Sequence, residues 1–360
     1  MFAAGNSAAV ATAANYIEDV FSTYLYTGNS TSQTITNGID LSGQGGLTWI
    51  KKRNAAEDHV LTDTVRGAGN TLFSNLTDAN DYDITRVSGF TSSGFSVGGS
   101  FRVNQSANTY ASWTFRKQPK FFDVVTWTGD GTGDRAISHN LGSAPGFIVT
   151  KQTSAASDWY AYHRSLGNSY YVSLNQTSAS ATSVNLNWNV TSTTFTADSF
   201  LSLNDSGVTY VAYLFAHNAG GFGLTGTDNV ISCGSFTVGG SGNATVDLGF
   251  EPQWVMTKAT DVAGNWRIAD NMRGMTAAGT DAVLLANTSD AESSVNLQVA
   301  PTATGFQVSG GLPYTATYIY IAIRRGPMKT PTTGTSVFTP ISAIATSGTA
   351  RTTGFPVDLQ

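Results

Sequence analysis

The feature that most constrains this chain is an internal repeat. The stretch TWIKKRNAAEDHVLTDTVRG (48–67) returns as IVTKQTSAASDWYAYHRSLG (148–167) and again as VMTKATDVAGNWRIADNMRG (255–274). The first two copies run in register without a gap: Lys51 and Lys151, Asp58 and Asp158, Asn75 and Asn175, Phe95 and Phe195, Asn104 and Asn204, Tyr110 and Tyr210, and Phe115 and Phe215 are matched pairs. The third copy keeps Lys258 and Gly274 at the mutual spacing of Lys51 and Gly67, and takes an insertion before Asn287. It then keeps Phe306 and closes on TYIYIAIR, with Tyr318 and Ile323 where Tyr110 and Phe115 stand. A period of this length is too long for a solenoid whose units depend on their neighbours. It predicts three beads, each with its own core, over 23–120, 121–222 and 229–328, with the glycine-rich 217–226 as the clearest linker.

Within a copy the signals keep one order. A turn such as YTGNSTS or WTGDGTG leads into an extended stretch, then a short apolar strand, a second strand, and two more in the C-terminal half. FIVTK (147–151) is bounded by Pro145-Gly146, and DWYAYH (158–163) and TYVAYLFA (209–216) are aromatic and β-branched, as strands prefer. No helical period survives inside a copy. The expected class is therefore all-β, with tandem antiparallel β-sandwich modules of jelly-roll or Greek-key type. Charged residues make up 12% of the chain, about half the usual share, so uncharged polar side chains must cover most of the surface.

Two segments fall outside the repeats. Residues 1–22 read as a docking segment: over 7–22, Val10, Ile17 and Phe21 share one face with Ala13 and Ala14 at helical spacing behind a Ser7 cap, and a terminal arm is the competing reading. At the other end, Gly354-Phe355-Pro356 parallels Gly249-Phe250-Glu251-Pro252. Residues 329–360 thus read as the start of a further module, in a chain that runs on, or as a strand-exchanging tail. The N-terminus has no basic region and reaches Glu18 and Asp19 before any long apolar run, so it is not read as a secretion signal. No window is apolar enough to suggest membrane insertion.

The repeated Lys and its sixteenth-position partner are the first candidate site, because a Lys near a carboxylate or imidazole can serve acid-base chemistry. That partner is Asp63, His163 and Asp270 in turn, and groups of such different pKa cannot fill one catalytic role. Lys51, Lys151 and Lys258 therefore read as strand-end residues that solvate an edge or pair locally, and Gly67, Gly167 and Gly274 as turn glycines. At the twelfth position, His59, Trp159 and Trp266 read as a core or half-buried wall, with Trp159 and Trp266 as the minority candidates for glycan-facing platforms.

Other chemistries find little support. The four His residues stand apart at 59, 139, 163 and 217, and the loop GGSGN lacks the Lys of a phosphate loop. The turn NLTDANDYD (75–83) offers oxygens to calcium but without EF-hand spacing, and its Asx residues read as turn formers. Cys233, the one cysteine, excludes an internal disulfide and reads as a small buried residue. Asn75, Asn175, Asn189 and Asn243 begin Asn-x-Ser/Thr triplets that composition alone explains. A net charge of -5 gives no footprint for nucleic acid. The expectation is no enzyme, no cofactor and no metal.

The set YTGN, GLTWIKKR, TDTVRG, SFRVN, TYASWTFRK, WTGDGTGDRAISHNLGSAPGFIVTK, YHRSLG, TYVAYLFA and YIYIAIRRGPMK resembles a repeated β-domain of virion structural proteins in tailed bacteriophages, especially marine ones, over 23–330. That resemblance implies a place on the virion, most often in a tail fibre. It also implies assembly as a homotrimer, other virion proteins as partners at the N-terminal anchor, and no assigned catalytic residue. The expected function is host attachment through multivalent contacts, with a host surface glycan as a further partner. A capsid or tail decoration or adaptor protein is the alternative, and a glycan-degrading tailspike ranks third.

Overall fold

The computed structural model describes residues 14–276, 281–294, 298–310, 312 and 315–329. The chain is all-β and antiparallel. Each copy builds one large and one small sheet, which pack as a sandwich, and copy I adds a separate two-stranded ribbon, Asn70–Thr71 with Asp81–Tyr82. In copy I the large sheet runs, in spatial order, Phe21–Thr27, Thr109–Arg116, Gly46–Lys52, Val60–Asp63. Copy II repeats this with Phe122–Thr128, Thr209–Phe215, Phe147–Gln152 and Tyr160–His163, then adds Tyr170–Ser173 and Ala181–Thr182. Copy III has Ile231–Thr237, Thr317–Arg324, Pro252–Ala259 and Arg267–Asp270, extended by Ala282–Leu285 and Ser293–Ser294. The first and last strands of each copy pair in the same register, with Phe21 opposite Phe115, Phe122 opposite Phe215 and Ile231 opposite Ile323.

Side-chain alternation along the central strands explains how the copies assemble. In copy I, Ile50, Val60 and Tyr110 point toward the small sheet and form a core with Ile35, Phe95 and Val97. Leu47, Trp49, Trp113 and Phe115 lie on the opposite face and enter a second core, which draws on all three copies. Copy III divides in the same way. Val255, Tyr318 and Tyr320 join its own sandwich, whereas Trp254, Met256, Ile321 and Ile323 join the shared core.

The copies are therefore not separate beads on a rod, as the period suggested. Each large sheet is apolar on both faces, and such a sheet must be covered twice. The small sheet covers one face, and the other two copies cover the second. Repeat positions meet there in complementary sizes: Leu47 with Phe147 and Trp254, Trp49 with Val149 and Met256, and Trp113 with Tyr213 and Ile321, all buried. The void left among them is about 10 Å³ and apolar, less than the volume one water needs.

The N-terminal expectation is corrected by the same packing. Residues 7–13, with Val10, lie outside the described residues. A single 3-10 turn, Ile17–Asp19, stands where a helix was expected and runs into a strand. Ile17 and Phe21 are buried in the shared core, with the Phe21 ring 5.1 Å from Phe115 and 6.3 Å from Trp254, so neither offers a docking face. The Ile17 N–H donates to the Pro327 carbonyl at 3.1 Å, which ties the start of copy I to the end of copy III. The tail expected over 329–360 lies, apart from Lys329, outside the described residues.

Candidate functional site

The repeated residues that looked most like chemistry gather at the three joints between copies. At each joint a backbone N–H and a lysine converge on one carbonyl of the preceding copy. Ser157 and Lys151 bond the Thr77 carbonyl at 2.8 and 3.1 Å, Gly264 and Lys258 bond that of Thr177 at 2.8 and 3.2 Å, and Glu57 and Lys51 bond that of Ser289 at 2.8 and 3.2 Å. The preceding copy returns a bond of its own, from the N–H of Asn80 to Thr153, of Ser180 to Thr260 and of Glu292 to Arg53. The three joints close a ring: I to II, II to III, III to I.

The lysines are consequently buried, against the expectation of solvated strand ends. Each also donates to the carbonyl of the residue after it, Lys52, Gln152 or Ala259. Burial lowers the pKa of each from 10.5 to about 8.

Position twelve resolves the same way. Trp159 and Trp266 are wholly buried, so they cannot face a glycan. Their indole N–H groups donate at 2.9 Å to the carbonyls of Phe73 and Ser173, across the joints. His59 fills the third joint. Its Nδ1 accepts from Trp49 Nε1 at 2.8 Å, which leaves Nε2–H to donate to the Leu285 carbonyl at 2.9 Å. Phe73, Ser173 and Leu285 are equivalent repeat positions, so His and Trp serve one purpose: a flat ring with one N–H. Asn75, Asn175 and Asn287 each accept the backbone N–H of that ring residue and donate to Asp58, Asp158 or Asn265.

The switch at position sixteen has a physical cause as well. Asp63 accepts from Arg66 Nε at 2.6 Å and, across the joint, from the Tyr213 hydroxyl at 2.9 Å. Asp270 accepts from Arg273 Nε at 2.7 Å and, across its joint, from Trp113 Nε1 at 3.0 Å. At the joint between copies II and III the equivalent partner is Ile321, which has no proton to give, and the Arg position is Leu166. A carboxylate there would be buried alone. His163 stands instead, with Nε2 bonded to the Tyr320 carbonyl at 3.1 Å and its pKa pushed by burial down to about 3. Three residues change together because one charge cannot be left unpaired.

With these groups spent inside, the surface shows a different chemistry. A groove of about 580 Å³ opens between copies I and II. On the copy I side Arg66 gives its NH1 to Asn80 at 2.8 Å and its NH2 to the Leu61 carbonyl and the Tyr213 hydroxyl, while Asn80 donates to Asn70 at 2.9 Å. On the copy II side stand the exposed Thr126, Thr128 and Ser154, with Thr153 and Thr209 sharing a hydroxyl bond of 2.6 Å. Trp127 and Tyr210 also border it, but their rings stack at 5.0 Å inside the copy II sandwich beside Phe195.

The other candidates hold no reactive arrangement. In loop 75–83 Asp81 pairs with Arg86 at 2.6 Å, and Asn80 and Asn75 serve the joint. Cys233 is buried, which pushes its thiol pKa up, away from reactivity. Among the described residues no three His, Cys, Asp or Glu side chains cluster as metal ligands, and no helix is long and apolar enough to cross a membrane.

These features define a class: an all-β domain made of three sandwich copies closed into a ring around one core. The chain belongs to a family described as a domain of unknown function (DUF7483), whose match spans 17–327 and so takes the three copies as one unit. No curated protein and no solved structure matches the chain.

Proposed function

We propose that this chain is a structural protein of a tailed-bacteriophage virion, a tail fibre or fibre-like appendage that attaches to the host by multivalent, non-catalytic contacts. The observation that carries the reading is where the ionisable side chains go. The repeated lysines and the ionisable residues at position sixteen are consumed by the joints, and the groove between copies I and II is left lined chiefly by hydroxyls and amides, suited to reversible binding. The likeness of 23–330 to virion β-domains supplies the setting. In that setting its partners are other virion proteins at the N-terminal anchor, copies of itself in a homotrimer, and a host surface glycan. The three-copy ring favours one second reading, a decoration or adaptor protein that stiffens capsid or tail, because three joints around a filled core resist deformation.

Imaging of intact particles tests both. Density for the chain on tail appendages, with the purified protein binding host cells, supports the fibre. A copy number matching the capsid lattice supports the decoration protein, and absence from the particle refutes both.

A further inference from the structure

We propose that the groove between copies I and II is a binding site for a neutral saccharide chain. The proposal rests on the adhesive reading above and gives it an address. Its volume lies within the roughly 300–1,000 Å³ of ligand clefts.

The lining excludes charged ligands. Arg66, its one cation, has every guanidinium nitrogen committed to Asp63, Asn80, Leu61 or Tyr213, so little is left for an anion. No carboxylate lines the groove to hold a cation. Arg135, which bonds the Thr128 carbonyl, is matched by Asp130 at 3.4 Å. What the groove offers is groups that both donate and accept. Thr126 and Thr128 are exposed and project from the same face of one strand, roughly 7 Å apart. Ser154 accepts the Thr209 N–H and keeps its own proton to give. The ligand that matches paired donors and acceptors without net charge is a polyol ring.

The two other joints show that this lining is particular to one place. Between copies III and I, Glu292 replaces Asn80 and is clamped by Arg53 at 2.9 and 2.7 Å and by Arg273 at 3.2 Å. Between copies II and III, Leu166 and Tyr170 replace Arg66 and Asn70. Among the described residues the three joints therefore hold one such groove, and useful attachment comes from many chains on a particle.

The test is saturation-transfer NMR on the full chain with maltohexaose, mannohexaose and chitohexaose as neutral probes and hexagalacturonate as the acidic control. At least one neutral chain should bind in the millimolar range. The double substitution Thr128→Val with Ser154→Ala should weaken it tenfold or more, while Ser235→Ala with Thr237→Val, at the positions in copy III that match Thr126 and Thr128, should leave it unchanged. Thermal melting checks that both variants fold. No transfer to any neutral chain, transfer to hexagalacturonate alone, or transfer indifferent to the groove substitutions overturns the proposal. Host-cell binding by the same variants separates the two ideas: cells still bound after saccharide binding is lost leave the site standing and remove it from attachment.

Discussion

Transplanting the His163–Leu166 pair of copy II into copy I is the sharpest test of the joint chemistry. The substitutions are Asp63→His and Arg66→Leu, made singly and together. Asp63 is fully buried and takes four donors: the backbone N–H groups of Val65 and Arg66, Arg66 Nε and the Tyr213 hydroxyl. The Arg66 side chain is 8% exposed. Asp63→His alone leaves a guanidinium buried without its counter-charge, and Arg66→Leu alone leaves a carboxylate in the same position. Breaking one side of such a pair costs about 3–5 kcal/mol. The double variant buries neither charge, and the new imidazole can accept the Tyr213 proton. Its loss is that of a few hydrogen bonds, about 1–2 kcal/mol. The double variant should therefore be more stable than either single one. Urea unfolding followed by tryptophan fluorescence measures each value. Costs that add to within about 0.5 kcal/mol would refute the argument, because uncoupled sites behave that way.

Three further outcomes rest on the shared core and its buried ionisable groups. The full chain should unfold in one cooperative calorimetric transition, and residues 121–222 expressed alone should not hold a monomeric fold, because Phe147, Val149, Tyr213 and Phe215 lose their cover; two or three separate transitions would restore independent beads. Stability should rise from about pH 8 toward pH 10, because each lysine binds its proton less tightly folded than unfolded. The slope is up to about 1.4 kcal/mol per pH unit for each, and Lys258→Met should remove about a third of it in a denaturation series. Above about pH 10 the trend should reverse, since burial raises the Tyr110, Tyr210 and Tyr318 phenols to about 12 and their contribution is lost as they ionise. On the acid side His163, held near 3, contributes stability that is complete above about pH 6.5 and lost as pH falls toward 3. His163→Gln should flatten that limb of the same series.

The strands and their order were legible because TYASWTFR, TYVAYLFA and TYIYIAIR are continuous apolar runs at fixed places in a repeat. The same runs carried the closure, though less openly. Tyr110 and Tyr318 point into their own sandwiches, whereas Trp113, Phe115, Ile321 and Ile323 point into the common core. A strand apolar on both faces announces that something covers its second face but not what. The period argued for independence, and the covering surface turned out to be the other copies. The groove was not legible at all. It draws on Arg66 and Asn80 from one copy and Thr128 and Ser154 from the next, and no spacing within a copy brings these together.

The switching partner at position sixteen argues against a repeated catalytic pair, and it does more than measure out strands. His59, Trp159 and Trp266 read together as a core or half-buried wall, with a platform as the minority reading for the two tryptophans. The property they share, a single ring N–H, was visible in their chemistry and pointed to a hydrogen bond rather than a surface. Asp63, His163 and Asp270 share no such property, and the difference makes the joints chemically distinct. A copy I paired with the Ile321 face of a copy III would bury Asp63 without its hydroxyl donor. A copy II paired with the Trp113 face would set His163 against an N–H meant for a carboxylate. Copies drawn from different chains could otherwise exchange places, because the lysine and backbone bonds are the same at every joint. The unequal partners penalise wrong closures while the common bonds stabilise all of them alike, so the order of the ring is specified by the residues that the repeat does not keep.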